Sequence, residues 1–129
     1  MELACNHGDG PTSVREIAER QERPAKYLEQ LGSALRAAHL VRSQRGSGGG
    51  YTLTRPPEDI TVAQIYEALE GPLVPVDCVS DPDLCDREAR CATRDVWCQV
   101  GEAVRRVLDN VTLADLAHDS LEKCRIGRP

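Results

Sequence analysis

Four cysteines fall close together in the second half of the chain: Cys78, Cys85, Cys91 and Cys98. Six residues separate the first pair, five the second and six the third. Thiolates carried on one flexible segment suit soft metals and iron–sulfur clusters, and they can also be oxidised reversibly. The segment holds no Cys-x-x-Cys pair, which argues against a zinc ribbon or a thioredoxin-like centre. Three chemistries stay open: an iron–sulfur cluster, thiol-based redox sensing, and cysteines that are inert or zinc-bound. Cys5 and Cys124 stand far from this group and read as bystanders, as do His7, His39 and His118.

A second set of residues could recognise a duplex. Ser13-Val-Arg-Glu16 is a capping box, so a helix starts there and runs to about Gln21. A second helix starts near Pro24, which suits a first helical position because its missing N–H would be unpaired anyway. Leu28, Leu31 and Leu35 make one buried stripe at helical spacing. The opposite face carries Lys26, Glu29, Gln30, Ser33 and Ala37, which fits a recognition helix or an ordinary solvated face. Residues 40–45 and 51–54 then read as two strands around Gly46-Ser47-Gly48-Gly49-Gly50, and Arg55-Pro56-Pro57 stops the return strand. The glycines allow close backbone approach, and Arg45 on the shoulder of the turn could enter a minor groove. The bland alternative is a plain surface hairpin. Helix, turn, helix and hairpin in this order make a winged helix-turn-helix.

Charge distribution supports that reading better than the total does. The net charge is −5, but residues 1–56 carry eight Lys/Arg against six Asp/Glu, and residues 57–129 carry eight against fifteen. No acid occurs between Glu29 and Glu58, whereas Arg36, Arg42, Arg45 and Arg55 do. Positive charge is therefore concentrated on the hairpin, as phosphate contact requires. With 129 residues and no Phe, the chain is expected to make one aliphatic-cored domain, or a small domain with an appended helix. Such a core is thin for a monomer and adequate for a dimer that shares a helical seam.

The remaining elements follow from pattern. Met1 to Asn6 reads as the end of a helix, stopped by His7-Gly8-Asp9-Gly10-Pro11. Residues 56–60 read as a linker. Thr61 caps a helix with Val62, Ile65, Tyr66 and Leu69 on one side, ended by Gly71, and residues 73–76 form an extended link. Residues 78–92 have no apolar period and read as a loop. From Thr93 a long helix carries Val96, Val100, Val104, Val107 and Val111 near heptad spacing, a candidate dimer seam. Cys98 is placed on its apolar side, close to Trp97. Thr112-Leu-Ala-Asp115 caps a terminal turn through Leu116, and the polar tail from His118 is expected to fray.

Tyr27-Leu28-Glu29-Gln30-Leu31, Leu35-Arg36, Leu40-Val41-Arg42-Ser43, Arg45-Gly46, Gly49-Gly50-Tyr51 and Ile60-Thr61-Val62 closely resemble the Rrf-two family of bacterial repressors, which includes IscR-like, NsrR-like and CymR-like regulators. The resemblance runs from the start of the chain to about Leu116, lacking roughly the first fifteen residues of the pattern. It implies a mainly α fold with a small β-hairpin wing, a winged helix-turn-helix plus a long dimerisation helix. The implied organisation is a DNA-binding domain over 1–76, a cysteine-rich loop over 77–92, a dimerisation helix and terminal turn over 93–117, and a flexible tail over 118–129. The implied DNA-binding set is Lys26, Tyr27, Glu29, Gln30, Ser33, Arg42, Arg45, Ser47 and Gly48, with Glu29 matching the base-reading glutamate and Arg45 the minor-groove arginine.

In that family three loop cysteines hold an iron–sulfur cluster, or one cysteine senses oxidants. Cys78, Cys85 and Cys91 match the ligand positions, with Cys98 as a candidate fourth. Two departures stand out: the first spacing is one residue longer than in the IscR-like and NsrR-like members, and Arg94 stands where IscR-like proteins place a histidine ligand. His39 also replaces a glycine that follows the recognition helix, a strained choice if that residue takes positive φ. The expected function is a cytoplasmic, homodimeric repressor of double-stranded DNA that senses redox state, nitric oxide or iron–sulfur status. The alternatives are a cluster-free thiol regulator, or a metal- or cluster-carrying protein that does not bind DNA. An enzyme is not expected: the chain offers no Ser/His/Asp constellation, no paired carboxylates in a clear pocket and no phosphate-cradling Gly-Lys motif. No apolar run approaches the ~20 residues of a membrane span, and Met1 to Ala4 lacks the basic start of a signal peptide.

Overall fold

The computed structural model describes residues 1–74 and 76–126. Pro75 of the expected link and residues 127–129 of the expected tail lie outside the described residues, as does the side chain of Cys124. The elements run α1 (Glu2–Cys5), α2 (Val14–Gln21), α3 (Ala25–Ala37), β1 (Val41–Gln44), β2 (Gly50–Leu53), α4 (Val62–Glu70), α5 (Asp77–Ser80), α6 (Ala92–Asp109) and α7 (Leu113–Ile126). Short 3-10 turns lie at Pro57–Asp59, Pro82–Leu84 and Glu88–Arg90.

Local chemistry sets the helix starts. The Ser13 hydroxyl accepts from the Glu16 N–H at 3.1 Å, and the Glu16 carboxylate accepts from the Ser13 N–H at 3.2 Å. The same reciprocal cap joins Thr61 and Gln64 at the start of α4. Pro24 sits one residue outside α3 rather than inside it, with extended ψ of 133°, and its carbonyl accepts from the Tyr27 and Leu28 N–H groups. The two strands pair antiparallel with Val41 opposite Leu53, Arg42 opposite Thr52, Ser43 opposite Tyr51 and Gln44 opposite Gly50. Thr12, just before α2, adds a bridge to Tyr51, so the wing is bonded to the entry of the helix-turn-helix.

The core gathers Leu40, Val41, Leu53, Ile60 and Leu113 from the wing, the following turn and α7. Four expectations are corrected here. The segment 56–60 is not a plain linker, since Ile60 is 1% exposed and packs at the centre of this cluster. The chain after Leu116 is not a frayed tail: α7 continues to Ile126, with Leu113 and Ala117 buried. What anchors α7 is a bridge between Thr61 and Thr112, with Val62 donating to the Val111 carbonyl at 2.9 Å and Leu113 donating to the Ile60 carbonyl at 2.8 Å. Val111 therefore belongs to this joint rather than to the α6 seam, since α6 ends at Asp109. The residues 77–92 expected as a loop contain α5 and two 3-10 turns, each a single turn long.

The Asp115 carboxylate accepts from both the Thr112 N–H and its hydroxyl at 2.8 Å. These bonds favour the charged form and hold the carboxyl below its ordinary value of 3.8. A depressed carboxylate stabilises the fold above its unfolded pKa and loses that effect as pH falls through the folded one. Asp115→Asn is therefore expected to flatten the acid limb of a stability-against-pH curve below about pH 4, leaving neutral-pH differences dominated by the cap.

His39 has φ of 58°, a left-handed conformation that costs a side-chain-bearing residue about 1–2 kcal/mol. Its carbonyl accepts from the Thr54 hydroxyl at 2.6 Å, which holds the backbone there. His39→Gly removes the strain but adds about 0.5–1 kcal/mol of unfolded-state entropy. The expected net is a gain of about 0.5–1 kcal/mol, read as a rise of a few degrees in melting temperature.

Candidate nucleic-acid interface and cysteine segment

α3 packs on α2 through Leu28, Leu31 and Leu35, which line an apolar cleft of about 270 Å³ with Leu3, Val14, Ile17, Val41 and Tyr51. The leucine stripe is half-buried because that cleft is open on one side. The other face of α3 presents Lys26, Tyr27, Glu29, Gln30 and Ser33, all exposed. None of these five is bonded to another described side chain in the way that Arg36 is. Arg36 extends from the last turn of α3 to the Ser43 hydroxyl on β1 at 3.4 Å, linking helix to wing.

The wing tip is built by its glycines. Gly46 and Gly48 take φ of 102° and 76°, and the Gly49 N–H donates to the Gly46 carbonyl at 3.0 Å. A Cβ on Gly49 would lie 2.3 Å from the Gln44 carbonyl oxygen, so no larger residue closes this turn. Arg45, Ser47 and Gly48 are exposed at the tip. Arg42 is separated from them: alternation puts it on the strand face away from α3, and its Nε donates to the Thr52 hydroxyl at 3.1 Å. There it borders a mixed cleft with Asn6, His7 and Thr12.

One contact escaped the sequence reading. Gly32, buried in the middle of α3, leaves space that the Tyr51 ring occupies. A Cβ there would lie 2.6 Å from Tyr51 Cζ and 2.7 Å from its hydroxyl oxygen. Tyr51 thus touches α3 by its ring and the entry to α2 by its backbone, which fixes the wing against α3. A glycine inside a helical pattern usually marks such a close approach, and that was the available signal. Gly32→Ala is expected to lower duplex affinity roughly tenfold, about 1.4 kcal/mol, by displacing the ring. Thermal unfolding should be unchanged or slightly improved, because alanine favours helix by about 1 kcal/mol.

α6 has two faces of different character. Cys91, Arg94, Cys98, Gly101 and Leu108 are half-buried or buried and recur at helical spacing on the side facing α4 and α5. Arg105 on the same stripe pairs with Glu67 of α4. The opposite face carries Val96, Val100, Val104 and Val107, exposed by 56%, 37%, 41% and 63%. Cys98 therefore lies on the inward stripe, not on the apolar seam where the sequence reading put it.

Cys78 sits in α5, Cys85 follows a 3-10 turn, and Cys91 is the N-cap of α6. All three and Cys98 are half-buried free thiols. Arg94, at the position matched to a ligand, donates instead from Nε to the Cys78 carbonyl at 3.3 Å. Among the described residues, no three His, Cys, Asp or Glu side chains come together in a way that could hold a metal ion. Among the described residues, Cys78, Cys85, Cys91 and Cys98 are thus not gathered around one point as ligands of a metal ion would be. Also among the described residues, no helix is long and apolar enough to cross a membrane.

Known proteins resemble this chain in sequence and fold over most of its length. The chain is 45% identical over 117 residues to the HTH-type transcriptional regulator CymR of Bacillus subtilis, covering 91% of this chain and 80% of that one. The solved structure of B. subtilis CymR, described as the global cysteine regulator, superposes with a TM-score of 0.72 over 91% of this chain and 85% of its own. IscR of T. potens matches with a TM-score of 0.71 at 42% identity, over 92% and 77% of the two chains. An oxidized form of Staphylococcus aureus CymR matches at 0.68 and 40% identity, over 90% and 84%. The profile of the Rrf2 family, described as an iron-dependent transcriptional regulator, matches residues 1–119. With the capped helix pair, the glycine-built wing and these relatives in view, the chain belongs to the Rrf2 family of winged-helix transcriptional regulators.

Proposed function

We propose that this regulator is a homodimeric, cytoplasmic repressor that grips duplex DNA with the exposed α3 face and the Arg45 wing tip, and that thiol chemistry in residues 77–98 sets the strength of that grip. The observation that carries the proposal is the pairing of two unsatisfied surfaces. Lys26, Tyr27, Glu29, Gln30 and Ser33 stand exposed on a helix locked to an arginine-tipped wing, while four valines stand exposed on α6. The cysteine segment leads straight into α6, so a change in its covalent state acts on the helix that spaces the two recognition elements, and half-site spacing governs affinity. Four half-buried thiols within one short segment that leads into α6 support the thiol reading.

A second reading, an iron–sulfur regulator using Cys78, Cys85 and Cys91, is favoured by the iron-dependent description of the family. Iron and sulfide analysis of protein purified without air separates the two. The thiol reading is tested on a duplex selected from a random pool by the native protein. Affinity for it should change at least tenfold between reduced protein and protein treated with a small-molecule disulfide. The Cys78→Ser, Cys85→Ser, Cys91→Ser triple variant should show no change. Equal affinities of native protein in both states would sink the sensing role and leave the DNA-binding role intact.

A further inference from the structure

We propose that the cleft between the wing and the loop after α1 binds a phosphate group, held by Arg42 and by the amides of that loop. The site is separate from the Arg45 wing tip. The cleft measures about 250 Å³ and is bordered by Asn6, His7, Gly8, Gly10, Thr12 and Arg42, together with β2. Among the described residues, no Asp or Glu borders it. Backbone pairing sets its geometry. Thr12 bridges to the edge of β2 away from β1, donating to the Tyr51 carbonyl at 3.0 Å and accepting from the Tyr51 N–H at 2.9 Å. The Asn6 amide donates to the Thr12 hydroxyl at 3.4 Å, which ties the loop to that edge. Arg42 stands opposite Thr52, and its Nε donates to the Thr52 hydroxyl at 3.1 Å. Its side chain therefore runs from β1 across β2 toward the loop, closing a strand spacing of about 4.7–4.9 Å.

The donors around this cleft are unspent. Among the described residues, the two terminal nitrogens of Arg42 meet no acceptor, and neither do the Gly8 and Gly10 N–H groups. The neighbouring His7, Asp9 and Thr12 N–H groups, by contrast, donate to the Ala4, Asn6 and Tyr51 carbonyls. Gly8 and Gly10 have φ of 95° and 96°, and a Cβ on either would meet nothing within 4 Å. Turn amides freed by left-handed residues form concavities that take anions. The planar guanidinium fork matches phosphate oxygens, and His7 adds a further donor. Asp9, between the two glycines, is exposed and does not border the cleft. Donors arriving from β1 on one side and from the loop on the other suit a tetrahedral anion, whose oxygens point several ways, better than a planar carboxylate. Pockets for drug-sized ligands hold roughly 300–1,000 Å³, so this space takes a phosphate group with a small organic portion at most. A free phosphate ester and a duplex backbone offer the same chemistry, and the experiment separates them.

The full chain at low ionic strength is titrated with inorganic phosphate, then with glycerol phosphate, and followed by amide NMR. Sodium chloride at matched ionic strength is the blank. Saturable shifts centred on Gly8 and Gly10 are expected with both phosphates and not with chloride. Arg42→Gln should weaken binding at least tenfold, with circular dichroism unchanged. Thr52→Val, which removes the acceptor that aims Arg42, should weaken it severalfold, and the charge control Arg15→Gln should have no effect. A third arm adds the selected duplex and rests on the DNA-binding reading above. If only the duplex moves the Gly8 and Gly10 signals, and Arg42→Gln shallows its salt slope by about one unit, the site is upheld as a clamp on a backbone phosphate. Shifts absent from Gly8 and Gly10 in all three arms, or shifts that Arg42→Gln leaves intact, overturn the site. The two free-phosphate arms report on it even if the chain grips no duplex, so its failure and that of the DNA-binding reading stay distinct.

Discussion

Replacing Val100 and Val104 together with glutamate is expected to leave a folded monomer that has lost most of its hold on duplex DNA. Both valines sit in the middle of the outward face of α6, 37% and 41% exposed in the single chain, one turn apart. Their flanking neighbours Val96 and Val107 are more exposed still. Leaving four valines in water on one helix face has no advantage for an isolated chain, and burying each contributes about 1.5–3 kcal/mol. A two-fold interface presents every substitution twice, so the double variant places four carboxylates in the seam. An unpaired buried charge costs several kcal/mol, and even about 4 kcal/mol in total weakens association about a thousandfold. Sedimentation at micromolar concentration should therefore show monomers. Circular dichroism should be unchanged, because the inward stripe and the Arg105–Glu67 pair are untouched. Duplex affinity should fall about 10²–10⁴-fold, since the second half-site loses its effective concentration. A variant that sediments as a dimer would show that the apolar face of α6 is covered by something other than a second copy.

The contrast between the two faces of α6 also explains what was legible in the chain and what was not. The apolar face was readable because valines at near-heptad spacing are themselves the signal. The inward face was invisible to the same reading, because apart from Leu108 its residues are cysteine, arginine and glycine rather than large apolar groups. Cys98 was consequently assigned to the wrong side, although its spacing from Cys91 and Arg94 already placed it with them. Helix starts were legible for a related reason. Ser13 with Glu16, Thr61 with Gln64 and Thr112 with Asp115 are short-range devices whose partners are three residues away. The wing was legible because glycines at Gly46 and Gly48 are demanded by backbone angles and not by distant neighbours.

Long-range pairings were what the chain concealed. Ile60 looked like linker because no local period surrounds it, yet the Leu113 N–H bonds to its carbonyl across more than fifty residues of chain. The same bridge between Thr61 and Thr112 turns an apparently polar tail into α7, since a helix fixed at its start by the core needs little propensity of its own. The Tyr51 ring against Gly32 belongs to this class as well. It matters for the proposed DNA contact, because it joins two separately recognisable elements, α3 and the wing. For the cysteines, sequence spacing specified proximity along the chain, but the placement of Cys78 depends on where α5 docks on α6, and the Arg94 bond to its carbonyl is a long-range contact the spacing does not show.

Arg45→Ala is the substitution expected to separate grip from fold most sharply. Arg45 follows the last residue of β1, is exposed, and stands at the shoulder of a turn whose shape Gly46, Gly48 and Gly49 impose. Removing its side chain deletes no described hydrogen bond or ion pair, so stability should change by less than about 0.5 kcal/mol. At DNA the situation differs. A guanidinium at the wing tip enters a groove whose negative potential rises as it narrows, and it presents a planar fork of donors there. Loss of such a contact costs about 1–3 kcal/mol, or roughly 5- to 150-fold in affinity for the selected duplex. The salt dependence should shallow as well, by about one unit for each phosphate-range charge removed. Arg45→Lys discriminates the two contributions: the charge and hence the salt slope should persist, while preference for the selected duplex over a scrambled one should fall. If Arg45→Ala binds the selected duplex as native protein does, the wing tip does not enter a groove, and recognition must rest on α3 alone. If instead Arg45→Ala loses affinity equally for selected and scrambled duplexes, Arg45 serves as a phosphate anchor, and the sequence preference belongs to Glu29 and Gln30.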